Sequence, residues 1–110
     1  MIVEKRTYTM HSGMMKDYLK AYSESSFQDL QRQLGRCVGF FTSETGPIEQ
    51  VTQMWAYEDW NDREARRAAL YGDPAFIERA KDLYPLIKDK DSQILRPVPF
   101  APLAFVDTTR

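Results

Sequence analysis

Two β-rich runs, residues 37–44 and 50–57, stand only five residues apart across Thr45-Gly46-Pro47. The first carries Val38, Phe40 and Phe41, and the second carries Val51, Met54, Trp55 and Tyr57. So short a connection joins antiparallel neighbours, because a parallel crossover needs roughly a dozen residues or more. A hairpin therefore fixes the middle of any fold this chain adopts. Ahead of it, residues 2–10 mix Ile2, Val3, Thr7, Tyr8 and Thr9 with Glu4 and Arg6, which suits a strand with one wetter face. His11-Ser12-Gly13 stops that strand, and Ser12 is able to cap a helix after it.

Residues 14–34 read as that helix. Met15, Tyr18, Leu19 and Tyr22 fall at helical spacing, and Phe27, Leu30 and Leu34 continue it. The two stretches are out of phase across Ser23-Glu24-Ser25-Ser26, where three serines weaken the helix and predict a kink or irregular turn. Gly35 is the expected stop. After the hairpin, Asp59 caps a helix running to Tyr71, with Asp59/Arg63 and Asp62/Arg66 as pairs four residues apart. Gly72 ends it, and Asp73-Pro74 opens another helix with Phe76, Ala80, Leu83 and Ile87 as its apolar stripe. Pro85 ends or kinks that helix near Tyr84, since its nitrogen cannot donate. A short last strand follows over residues 92–96, then a proline-rich stretch, 97–102, that cannot be helical. The order is β-α-β-β-α-(α)-β: a ferredoxin-like α+β protomer with an antiparallel four-stranded sheet.

Composition removes several functions. A chain of 110 residues fits one domain. With 15 Lys+Arg against 16 Asp+Glu the net charge is −1, which argues against a nucleic-acid partner or a membrane surface. One cysteine rules out an internal disulfide and a multi-cysteine metal site, and one histidine rules out a two-histidine zinc or iron site within a single chain. No metal and no cofactor is expected. No apolar run approaches the roughly 20 residues of a membrane span. Met1-Ile2-Val3 runs straight into Glu4-Lys5-Arg6, unlike a secretory signal, so a cytoplasmic location is expected.

Several segments together carry a resemblance. They are Glu4-Lys5-Arg6-Thr7-Tyr8-Thr9 in the first strand and Gly39-Phe40-Phe41-Thr42-Ser43-Glu44-Thr45-Gly46-Pro47 in the hairpin. Gln50-Val51 with Trp55-Ala56-Tyr57, then Arg66-Arg67-Ala68-Ala69-Leu70 and Asp73-Pro74, continue it. Ile94-Leu95-Arg96-Pro97 and Pro99-Phe100-Ala101-Pro102-Leu103 complete it. In this order the chain resembles the NIPSNAP family, small domains of the dimeric α+β barrel superfamily. The resemblance implies a domain over residues 1–103, a tail over 104–110, and a sheet that pairs with a second copy to close a barrel. Related barrels include cofactor-independent monooxygenases and haem-degrading enzymes, an analogy of fold alone.

Residue by residue, the hairpin is apolar on both faces. Phe40 and Phe41 point to opposite sides, while Trp55 and Tyr57 share a side and Met54 takes the other. That fits helices on one face and a partner sheet on the other, that is, a homodimer. Glu4, Arg6 and Tyr8 share one face of the first strand, and such groups are costly to bury against helices. They are therefore expected towards the barrel interior with Trp55, Tyr57 and Arg96, as a pocket with aromatic walls and cationic or hydroxyl handles. The plainer alternative is that Glu4 and Arg6 pair structurally, and the opposite face assignment stays open. His11 is the one histidine, the side-chain type suited to general-base work, and sits at the rim turn, where a solvated role competes with a ligand-binding one. Cys37 reads as an inert thiol, the cluster Arg63, Arg66 and Arg67 as a solvated helix face, and Met10, Met14 and Met15 as core filling. The resulting function is a NIPSNAP-like homodimer that binds a small apolar or aromatic ligand. A cofactor-independent monooxygenase or haem-degrading enzyme is the alternative.

Overall fold

The computed structural model describes residues 1–103, the side chains of Glu24 and Ser25 excepted. The expected tail, 104–110, lies outside the described residues. Four strands, β1 (Ile2–Met10), β2 (Arg36–Thr42), β3 (Gln50–Tyr57) and β4 (Ile87–Leu95), form one sheet in the order β2-β3-β1-β4. Every neighbouring pair is antiparallel. Between β1 and β2 run α1 (Met15–Ala21), a π-helical turn (Tyr22–Ser26) and α2 (Phe27–Leu34). Between β3 and β4 run α3 (Trp60–Tyr71), α4 (Pro74–Leu83) and a 3₁₀ turn (Tyr84–Leu86). This is the expected ferredoxin-like arrangement.

The local signals act as their chemistry requires. The expected irregularity at the serines is the π turn, which carries the apolar stripe from α1 to α2 across its phase break. Gly35 ends α2 at φ +90°, in the left-handed region, and a Cβ there would lie 2.9 Å from the Arg66 guanidinium. The Asp59 carboxylate accepts from the Asp62 amide at 2.8 Å, and the Asp73 carboxylate from the Ala75 amide at 3.0 Å. Pro85 stops α4 as predicted. Four expectations fail. Ser12 does not cap α1, which begins after Met14 without a side-chain cap. Arg63 does not pair with Asp59, because Asp59 is spent on the cap and Arg63 reaches Glu4 and Glu64 instead. β2 ends at Thr42, two residues before the expected end. The last strand starts five residues earlier than expected, at Ile87, and pairs along β1 from Met10↔Ile87 to Val3↔Leu95. Lys88-Asp89-Lys90-Asp91 has no strand propensity of its own; it is held by hydrogen bonds to β1, and charge suits an edge strand.

The main core lies between the sheet and α2–α4. Ile2, Leu30, Leu34, Trp55, Tyr57, Leu70 and Phe76 form one buried cluster, and Tyr8, Met10, Tyr18, Val51 and Leu83 form a second beside it. The opposite sheet face carries a smaller cluster, Val3 and Ala56, with Val38, Met54, Leu95 and Leu103 packed against it. Among the described residues no helix is long and apolar enough to cross a membrane.

Candidate functional site

Alternation along β1 decides what faces the helices. Ile2, Glu4, Arg6, Tyr8 and Met10 fall on the helix side with Val51, Gln53, Trp55 and Tyr57 of β3, while Val3, Lys5, Thr7 and Thr9 take the other. The expectation that Glu4, Arg6 and Tyr8 avoid the helices is therefore overturned. The cost of burying them is met by pairing. Glu4 is fully buried and accepts from Arg6 Nη1 at 2.9 Å, Arg63 Nη2 at 2.9 Å and Ser92 Oγ at 3.0 Å, with Arg67 Nη1 at 3.5 Å. Burial pushes the Glu4 carboxyl up, but the Arg63 hydrogen bond and the Arg67 and Arg6 charges outweigh it and hold the pKa at about 2. Arg6 is pulled the other way by burial, yet Tyr8 and Glu4 raise its pKa further, so it stays charged. Its Nε donates to Tyr8 Oη at 2.8 Å.

Around this cluster sits a cavity of about 60 Å³. Arg6, Tyr8, Gln53, Tyr22 and Arg67 supply its polar wall, and Leu30, Leu34, Leu70, Phe76 and Leu83 its apolar one. The Gln53 amide oxygen is turned to accept from Trp55 Nε1 at 2.7 Å. Burial pushes the Tyr22 phenol up to about 12. Tyr71, Tyr84 and Lys90 form the rim; the tyrosines are 47% and 50% exposed, and the Lys90 ammonium lies 5.0 Å from the Tyr84 ring centroid. Arg67 lies 5.0 Å from the Tyr71 ring centroid and donates to its hydroxyl. A second, open and apolar groove of about 320 Å³ runs past Leu19, Phe27 and Phe40, and Tyr22 is the wall the two spaces share.

Of the six sequence-level candidates, Arg6 and Tyr8 line the cavity. Trp55 and Tyr57 lie on the same sheet face but deep in the core, at 0% and 1% exposure, behind the cavity rather than on its wall. His11 is exposed at the turn after β1, where its amide donates to the Leu86 carbonyl at 2.9 Å. Arg96 is exposed on the far side of the sheet beside Met1 and Pro97, so the placement of Arg96 with Trp55 and Tyr57 is overturned. The solvated reading of the α3 arginines fails for two of them: Arg63 and Arg67 turn inward to Glu4, with Arg63 also on Glu64, whereas Arg66 pairs with Asp62 one turn back. One signal for this was available. Arg63, Arg67 and Leu70 recur at i, i+4 and i+7, so one face of α3 carries both arginines and its one leucine. Tyr71, Tyr84 and Lys90 carried no such signal, because their grouping depends on how α3, the 3₁₀ turn and β4 meet. Cys37 is half-buried, and burial pushes its thiol up, as for an inert side chain. Among the described residues no group of three or more His, Cys, Asp or Glu side chains could hold a metal ion.

Comparisons with known proteins agree with this architecture. The NIPSNAP family model matches residues 3–102. The chain is 28% identical over 102 residues to protein NipSnap homolog 2 of Homo sapiens, covering 93% of this chain and 35% of that protein. It thus spans about a third of the length of the curated relative. A NIPSNAP family protein from Agrobacterium tumefaciens superposes with a TM-score of 0.90 at 36% identity, over 93% of this chain and 97% of that one. A NIPSNAP-like domain protein from Burkholderia xenovorans gives a TM-score of 0.88 at 32% identity, over 92% and 88%. An antibiotic biosynthesis monooxygenase superposes with a TM-score of 0.64 at 15% identity, over 90% and 100%, which shows a shared fold only. On its sequence and its fold alike, the chain belongs to the NIPSNAP family.

Proposed function

We propose that this protein is a homodimer that binds a small, partly aromatic molecule in the cavity between its sheet and its helices, each protomer being one domain over residues 1–103. The observation that carries the binding reading is the cavity itself: half-buried Arg6 and buried Tyr8, Gln53 and Arg67 converge on a space with an apolar floor and a tyrosine rim. That is the makeup of a small-molecule site, a few placed polar groups among apolar walls. A fragment screen by ligand-observed NMR tests it. Aromatic hits should be lost in Ile87→Trp, which fills the cavity from its wall; hits that persist in that variant overturn the site.

Dimerisation is supported by the face of the sheet away from the helices. Val38, Met54 and Leu95 gather there around Val3 and Ala56, and Phe41, 55% exposed, lies over Gly39 beside them. Apolar surface of this kind on a regular sheet face is what a second sheet covers. Light scattering should give about 26 kDa, twice the chain mass of 12.9 kDa. A cytoplasmic location belongs to the same proposal; cell fractionation checks it.

A further inference from the structure

We infer that the cavity selects a carboxylate: the site takes a small organic acid whose anionic group is received by Arg6 and Arg67 and whose ring or chain leaves past Tyr71 and Tyr84. This rests on the cavity being the binding site proposed above. Three observations carry it. The first is a charge imbalance. Facing the cavity from β1, α3 and β4 are Arg6, Arg67 and Lys90, and the one carboxylate among them is Glu4, so two positive charges are left over. Arg63, a further cation on Glu4, is balanced by its own partner Glu64 and leaves the count unchanged. Asp89 and Asp91 do not help either: they stand opposite Thr9 and Thr7 in the ladder, on the other face, whereas Lys90 stands opposite Tyr8. Lys90 is exposed at the rim, but the Arg6 and Arg67 side chains are only 17% and 10% exposed, and positive charge held so far from water is costly until an anion enters.

The second observation is unused donor capacity. A guanidinium carries five N–H donors. Arg6 spends Nε on Tyr8 and Nη1 on Glu4, and among the described residues its Nη2 has no acceptor. Arg67 spends Nη2 on Tyr71 and holds Glu4 through Nη1 at the long distance of 3.5 Å. Lys90 has no ion-pair partner among the described residues, only the ring of Tyr84. Glu4 therefore serves to position the two arginines, and its pairing keeps them from swinging out to solvent. The third is size. The cavity of about 60 Å³ is well below the roughly 150 Å³ of a cavity that takes benzene, so a planar carboxylate fits inside while a ring must lie at the rim. There two half-exposed tyrosines offer it stacking surface.

The experiment uses the full chain and four probes: benzoate and hexanoate against their neutral isosteres benzamide and hexanamide, titrated by calorimetry and ligand-observed NMR. Each acid should bind at least about tenfold more tightly than its amide, the value of one charge-assisted hydrogen bond. Arg67→Gln should abolish that preference. Because Arg67 also supports Glu4, Lys90→Gln on the exposed edge strand is the second variant; it should weaken the acids by about threefold to tenfold and leave the amides unchanged. Equal binding of acids and amides overturns the carboxylate inference and leaves the cavity as a site. Displacement of benzoate by inorganic phosphate at equal concentration overturns it in favour of a tetrahedral anion. Failure of every probe at millimolar concentration overturns the inference and the site together.

Discussion

At the scale of single residues, Glu4 decides the most. It lies in a central strand with no exposed surface, a position a carboxylate takes only when cations meet it there. The requirement was visible in the sequence as Glu4 and Arg6 two apart, but the other partners, Arg63, Arg67 and Ser92, come from 59 to 88 residues away, and no spacing rule links them. The depressed pKa of Glu4 has a definite consequence for stability. A carboxylate at about 2 in the folded chain and near its ordinary 4.5 in the unfolded one stabilises the fold above pH 4.5, and that contribution is lost as pH falls towards 2. Urea denaturation across this window should show stability falling, and Glu4→Gln should flatten the fall. At neutral pH the same variant should lose about 3 kcal/mol, because three guanidiniums keep their burial without their anion. A variant as stable as the parent at pH 7 would mean that the cluster is solvated and weak.

Elements obey a different logic, because helix and strand signals are local. The hairpin, the serine-rich irregularity, the aspartate caps and the stop at Pro85 all follow from chemistry within a few residues. The π turn at Tyr22–Ser26 does more than absorb a misfit. One extra residue turns α1 by about 100° against α2, so that Tyr18 and Tyr22 on one side and Leu30 and Leu34 on the other reach the same sheet. Tyr22 thereby packs between the tilted rings of Tyr18, at 4.8 Å, and Phe40, at 5.5 Å, and becomes the wall between cavity and groove. Deleting Ser25 should restore an unbroken α-helix and misdirect one of these stripes, lowering stability by more than about 3 kcal/mol in a thermal melt followed by circular dichroism. Unchanged stability would show that the phase break carries no packing role. β4 is the counter-example: its first five residues hold strand geometry only because β1 lies beside them.

On the scale of the whole molecule the sheet has two faces with two uses. One meets the helices and encloses the polar cavity; the other gathers Val3, Val38, Met54, Ala56, Leu95 and Leu103. If the proposed dimer forms through that second face, Met54→Arg should leave the circular dichroism spectrum unchanged and halve the mass seen by light scattering, since it places a charge there without touching the helix side. A variant that keeps the parent mass would move the interface elsewhere. The sequence by itself determined the order of elements, their caps and breaks, the alternation that puts Glu4, Arg6 and Tyr8 on one side of β1, and the family. These are set by neighbours in the chain, through periods of 2 and 3.6 residues. Only the tertiary structure decided which side that was, and which distant side chains complete the cavity. The side depends on whether the cost of burying a carboxylate is met, and the arginines that meet it lie one helix away.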